Sequence, residues 1–299
     1  MTINTAKNRR SNRRPGERPE KGWLFLLPIA IFAVLFQYWP FLRTAIQSVS
    51  VVNFRGEITG FAGLDNFRYL FSRREFAAAV RNTLFLAGVN VPVTLVLTLF
   101  LAYLTAERRR LSGLTETMFA LPMAVSMSSV AMIFRVLLNP TVGYVNYALG
   151  LNVGWLTDRH WAMPAILVMT VWMGIAFNYL LFLSAFRAVP RDLIDCAALE
   201  GAGSLRILIH VQLPLISPTI LYVVCTNMIQ AMMTNGPVLI LTQGGPARST
   251  TTLIYLMYTS GYGSSNYSLA ACVSLISFAL TLAFTLLIFT TEKGRVHYQ

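Results

Sequence analysis

The stretch that decides the fold runs from Val189 to Ser217, V-P-R-D-L-I-D-C-A-A-L-E-G-A-G-S-L-R-I-L-I-H-V-Q-L-P-L-I-S. It is punctuated by polar residues between two long apolar runs and reads as two short helices joined by a tight turn. Pro190 presets the backbone for a first helical turn, and Asp192 and Asp195 stand where the helix dipole favours acid. Leu193, Ala197 and Ala198, at i, i+4 and i+5, share one narrow face. Gly201 and Gly203 supply the backbone freedom of a sharp reversal. Ser204 is placed to cap the second helix, whose Leu205, Leu208 and Ile209 make an apolar stripe. Pro214 is expected to end it.

Outward from this hairpin the chain is apolar. Of its 299 residues 55% are hydrophobic and 12% charged, and the mean hydropathy is +0.58. A soluble domain carries about 25% charged residues, so composition points to a polytopic membrane protein. The net charge of +12 could suit nucleic acid, but its distribution says otherwise. Lys7, Arg9, Arg10, Arg13, Arg14, Arg18 and Lys21 crowd one end, and Arg108–Arg110 form a second cluster. Such clusters mark cytoplasmic segments under the positive-inside rule. Cys196, Cys225 and Cys272 have no metal or redox spacing, and His160, His210 and His297 are scattered, so neither a metal site nor a cofactor is expected.

Six uncharged or nearly uncharged runs are long enough to span a bilayer. The first is Gly22–Leu42; the second lies between Arg81 and Glu107; the third runs from about Met118 to Leu137. Trp161–Phe186, about Leu215–Leu241 and Leu269–Phe289 complete the set. The expected organisation is a basic cytoplasmic tail over 1–21, a six-span domain over 22–290 and a cytoplasmic tail over 291–299. The hairpin, about 187–214, is then a cytoplasmic helix-turn-helix, and the fold class is all-α membrane protein.

Several motifs resemble one family. Asp195-Cys196-Ala197-Ala198-Leu199-Glu200-Gly201-Ala202, followed by Leu213-Pro214, resembles the EAA loop of binding-protein-dependent ABC importer permeases. Asp195 stands where that family usually has Glu, and Cys196 where it has the first Ala; both changes conserve charge or size. Gly63-Leu64-Asp65-Asn66-Phe67 with Asn82-Thr83, and Arg135 to Pro140 with Gly143, resemble segments of the sugar-type permeases. So does Leu241-Thr242-Gln243-Gly244-Gly245-Pro246 with Thr250, Thr252 and Leu253. They fall in the right order from first span to last.

The resemblance implies an inner-membrane permease whose coupling loop docks on an ATPase through Asp195, Ala197, Glu200, Gly201, Leu213 and Pro214. It also implies a second permease chain, two ABC ATPase subunits and an extracytoplasmic solute-binding protein, around a sugar or glycerol-phosphate-like solute.

The chemistry missing from the chain agrees with this. The lysines are Lys7, Lys21 and Lys293, and none completes a phosphate-binding loop, so ATP hydrolysis is expected in a separate chain. No nucleophile elbow or zinc-protease motif suggests an enzyme. All twelve acidic residues lie outside or at the edge of a span, which counts against an ion-coupled secondary transporter, the alternative reading. Neutral amides inside the spans suit hydroxyl-rich solutes because they donate and accept together. Asn178, Asn227, Gln230 and Asn235 are therefore the expected solute contacts, with helix bridging as the competing role.

Overall fold

The computed structural model describes residues 23–106 and 112–292, and helices dominate it. The basic clusters at the N-terminus and at Arg108–Arg110, and the tail from Lys293, lie outside the described residues. Two compact units divide between Thr44 and Ala45. The described residues of the first form a single helical stretch, α1 (Trp23–Ala33), widening through a π turn at Val34–Tyr38 into α2 (Trp39–Ser48), whose last residues belong to the second unit. Phe25–Ser48, at 24 residues, exceeds the roughly 20 that cross a bilayer core.

The second unit opens on a two-stranded antiparallel hairpin, β1 (Ser50–Val52) and β2 (Ile58–Phe61), with Ser50 opposite Phe61. α3 (Asp65–Ser72) leads into α4 (Arg74–Ala106). At 33 residues, α4 is about 50 Å long, well beyond the ~30 Å hydrocarbon core. α5 (Ser112–Ala120) passes through a 3-10 turn at Leu121–Ala124 to α6 (Met127–Leu137), and α7 (Tyr144–Leu149) follows. α8 (Ala162–Ala188) runs into α9 (Arg191–Leu199) and α10 (Ser204–Ile207). A π turn at Leu208–Gln212, α11 (Leu213–Leu215), α12 (Ser217–Met232) and a π turn at Val238–Thr242 come next. α13 (Leu253–Tyr258) and α14 (Tyr267–Glu292) close the chain.

Among the described residues four helices are long and apolar enough to cross a membrane, and six spans result only if each of two bent pairs counts as one. The third expected span bends by 98° between Ala124 and Met127, and the second bend, 72° between Leu215 and Ser217, separates the hairpin's second helix, Ser204–Leu215, from α12 at the start of the expected fifth span. Pro122 opens the 3-10 turn of the first break, and Ser126 Oγ restarts the helix by accepting from Ser129 N at 3.2 Å. At the second break Pro214 does not end the helix, as the sequence reading expected. α10, the π turn and α11 run on as one helix over Ser204–Leu215, so Pro214 lies inside it and withholds a backbone donor there. Pro218 falls in the first turn of α12, just after the break, where its missing N–H costs nothing.

α4 packs along α8, and α12 lies against α4 and α14. Four apolar clusters mark α4 from end to end. Phe76 and Ala79 meet Leu253 and Leu256 of α13 and Leu269 and Val273 of α14. Leu86 meets Val130 of α6, Ile166 and Met169 of α8, and Val238. Ala87 and Val91 meet Ala231 and Met232 of α12. Ala102 joins Tyr179, Phe182 and Phe186 of α8 with Ile216 and Val223. Burying such side chains stabilises by about 1.5–3 kcal/mol each for the part of the burial that water, rather than lipid, would otherwise contact.

Candidate functional site

After α8 the chain turns between two short helices, α9 and α10. α9 ends in a left-handed residue, Gly201 at φ +83°, with Gly201 N donating to Ala198 O and Ala202 N to Ala197 O, both at 3.0 Å. These paired bonds satisfy the last carbonyls of α9, and a side chain at Gly201 would force an L-residue into the left-handed region. Gly203, at φ −71°, needs no such freedom, and it rather than Ser204 is the N-cap of α10. Asp195, Glu200 and Leu199 are exposed, Leu199 at 89%, and Leu193, Leu205 and Ile209 are exposed too. Ala197, Leu213 and Pro214 are half-buried. The root is firm, because Ile194, Leu208, Leu213 and Leu215 pack on the cluster holding Phe182 and Phe186. The hairpin thus offers a row of apolar tips on a fixed base.

Arg187, two residues before the hairpin, ties that base together. Its Nη2 donates to Glu116 Oε1 at 2.6 Å and its Nε to Ala106 O at 3.3 Å.

The four amides are not gathered into one site. Asn178 and Asn227 are 2% and 5% exposed, and Asn178 Nδ2 donates to Asn227 Oδ1 at 3.0 Å, bridging α8 to α12. Beside them Thr94 Oγ1 and Asn227 Nδ2 are buried with no hydrogen-bond partner among the described residues. Gly174 makes room there: an added Cβ would lie 3.0 Å from Thr94 Cγ2 and 3.8 Å from Asn178 Nδ2. Gln230 is exposed on α12. Three residues leave it about 60° round the helix from Asn227, enough to put one side chain in the bundle and the other outside. Asn235 lies beyond the end of α12 at Met232, and its Oδ1 is buried without a partner among the described residues. Sequence reading singled out Asn178 and Asn227 but neither their mutual bond nor Thr94, because no pattern in one helix reveals which neighbour it faces.

At the other end of α4, motifs far apart in sequence close on one another. Asn82 Nδ2 donates to Arg248 O at 2.9 Å and Thr251 O at 3.0 Å, and Thr83 Oγ1 accepts from Leu253 N at 2.9 Å. The loop they hold turns through left-handed residues at Gln243, Gly244, Ala247 and Arg248. Its hydroxyls bond inward: Thr250 to Gly245 O at 2.7 Å, Thr251 to Gly244 O at 3.0 Å and Thr252 to Thr234 O at 3.1 Å. Gly244 is required here, since a Cβ would lie 2.5 Å from the Tyr255 ring. Arg248 also pairs with Glu75, which takes a second bond from Arg73 at 2.5 Å. A cavity of about 250 Å³ opens beside the loop, lined by Glu75, Gln243, Arg248, Thr251, Tyr255 and Thr259 among others. Asn66 does similar work nearby, donating to Ser48 O and Ser50 O at 2.9 Å each. No group of His, Cys, Asp or Glu among the described residues could hold a metal ion.

Comparison with known proteins converges on one type of molecule. Residues 83–292 match the family described as "Binding-protein-dependent transport system inner membrane component". The sn-glycerol-3-phosphate transport system permease protein UgpA of Pectobacterium atrosepticum is 32% identical over 281 residues, covering 93% of this chain and 95% of that one. The UgpA of Agrobacterium fabrum is 30% identical over 280 residues, covering 92% and 96%. Among solved structures, a chain of a bacterial alginate ABC transporter, crystallised with alginate pentasaccharide-bound periplasmic protein, superposes with a TM-score of 0.80. It is 23% identical and covers 92% of this chain and 94% of its own. A second alginate transporter structure gives 0.81, covering 92% and 96%. The chain therefore shares its overall fold with these two alginate transporter chains.

Proposed function

The chain belongs to the family of binding-protein-dependent transport system inner membrane components, and from that premise we propose that it is one permease subunit of an ATP-driven ABC importer for a sugar or similar polyol, glycerol phosphates included. The observation that carries the reading is the exposed hairpin with its rigid root. A membrane protein that exposes Leu193, Leu199, Leu205 and Ile209 on a polar helical projection has a docking surface, because unpartnered apolar tips in water favour association.

In this reading the docking partner is one of two ABC ATPase subunits. Asp195 and Glu200 supply charge at the contact, Ala197 lets the surfaces approach, and Gly201 sets the turn. Leu213 and Pro214 lead the chain from the hairpin back to the bundle. On the positive-inside rule the basic clusters favour a cytoplasmic place for both termini and the hairpin and an outside place for the Gly244-Gly245-Pro246 loop, with the bent α5–α6 pair as the third of six spans and the fifth running from about Leu215 through α12. A second permease chain completes the pathway, most simply as a heterodimer, and an extracytoplasmic binding protein delivers the solute.

Closure of the ATPases then pulls the hairpins together, and the bundle alternates between outward and inward access. Asn178, Asn227, Gln230 and Asn235 are proposed solute contacts. Asn178 and Asn227 would act by exchanging their mutual bond for bonds to a hydroxyl, an exchange supported by the unpaired Asn227 Nδ2 and Thr94 Oγ1 beside them. Gln230, exposed on α12, would offer its amide directly.

The test is purification of the tagged chain with its neighbours, followed by a solute screen against the binding protein. Copurification of an ATPase and binding of a polyol or its phosphate are expected. A chain that drives uptake alone, on an ion gradient, would contradict the reading.

A further inference from the structure

We propose that Glu116 and Arg187 are positioning residues through which the coupling hairpin moves the broken α5–α6 pair; the inference rests on the transport role above.

The geometry brings three elements to one guanidinium. Arg187 is in the last turn of α8, directly before the hairpin, and its two bonds reach Glu116 on α5 and the Ala106 carbonyl at the end of α4. The side chains of Arg187 and Glu116 are only 26% and 29% exposed, so water screens the pair less than it would an open surface bridge. A planar fork can serve both acceptors at once, whereas an ammonium is a single point.

α5 has a second point of attachment one turn on. Phe119 lies against Tyr179, ring centres 5.1 Å apart, and Tyr179 is fully buried with its hydroxyl 2.8 Å from Thr105 Oγ1. Glu116 and Phe119 stand at i and i+3 and so share a face of α5. The hairpin's own Ile194, Leu208 and Leu213 pack into the same cluster as Tyr179 and Phe186. The hairpin root, the end of α8 and α5 are therefore packed together on one side of the 98° bend.

A displacement of the hairpin is carried to α5 through these two contacts. Beyond Ala120 the helical ladder is interrupted, and Val125 is extended at φ −108°, ψ 137°. That interruption is the softest place to absorb the motion, so α6 swings relative to α5 while the inner ends stay together. The ion pair fixes the register of the transfer, because apolar packing alone would let α5 slide along α8.

The experiment uses the complete complex in proteoliposomes and reads solute transported per ATP hydrolysed, alongside complex yield. Glu116→Arg and Arg187→Glu are each expected to leave ATPase subunits bound while lowering that ratio by about tenfold, near the middle of the coupling energies seen within one network. The charge-exchanged double variant is expected to recover most of the ratio, and Arg187→Lys only part of it. Yield and uptake falling together at an unchanged ratio, or a double variant no better than the singles, would overturn the proposal and leave an ordinary packing contact. A wild-type complex that consumes ATP without moving solute would instead strike at the transport reading and take this inference with it.

Discussion

A buried asparagine in an apolar bundle has two donor and two acceptor positions to satisfy, and lipid satisfies none of them. Asn178 and Asn227 spend one each on the other, and Asn227 Nδ2 is left over. Replacing either with Leu strands the remaining amide and should cost about 1 kcal/mol, the upper part of the range for polar pairs between membrane helices. The double replacement should cost less than the sum of the singles. Gln230→Leu changes an exposed side chain and should leave stability unchanged while reducing uptake. Thermal unfolding and transport on this one set of variants check both statements. Equal destabilisation by Gln230→Leu would place Gln230 in a helix contact rather than on the solute path. The positions of these residues were legible in the sequence, since amides in apolar runs stand out. Their division into a bonded pair and two separate groups was not, because a helix wheel fixes angles within a helix but not which neighbour lies at each angle.

At the scale of elements, the turn at Gly201 and the polar hairpin around it were legible because each rests on local rules: a left-handed residue, a short acidic first turn, a switch from apolar to polar. The two bends were not. Hydropathy windows see apolar length and are blind to direction, so a span bent by 98° reads like a straight one. Proline gave a partial signal, but Pro214 and Pro218 look alike in sequence and only one falls where a helix bond is lost. The clasp of Asn82 and Thr83 on the distant loop was invisible for another reason. Both motifs resemble family segments, yet nothing local says that they touch across 166 residues. Asn82→Ala removes two bonds from a loop with four left-handed residues beyond its Thr hydroxyls, a loss of about 1–3 kcal/mol. Limited trypsin digestion should then cut after Arg248 several-fold faster than in the wild type. An unchanged cleavage rate would mean the Thr hydroxyls and the Glu75 pair hold the loop without Asn82.

At the scale of the whole molecule, the arrangement requires that the two ends of α4 and α8 lie on opposite sides of the membrane. The hairpin and Arg187 mark one end, the Arg248 loop the other. With Cys196, Cys225 and Cys272 replaced, Ala247→Cys should react with an impermeant thiol reagent added outside, and Leu199→Cys only when the reagent reaches the cytoplasm. Reversed labelling would invert the topology and remove the hairpin from the ATPase. In the proposed mechanism the bundle uses this polarity to convert a push at the hairpin into a change of access, and a hairpin that docks is the condition for it. Gly201→Asp tests that condition most directly, because φ +83° penalises any side chain and the acid adds charge at the contact, while open space around the residue leaves the bundle untouched. The measurement is solute uptake by cells producing the variant at wild-type level, with ATPase copurification from the same membranes. Loss of both uptake and bound ATPase is the predicted result, and wild-type uptake by a stably inserted Gly201→Asp chain would contradict it.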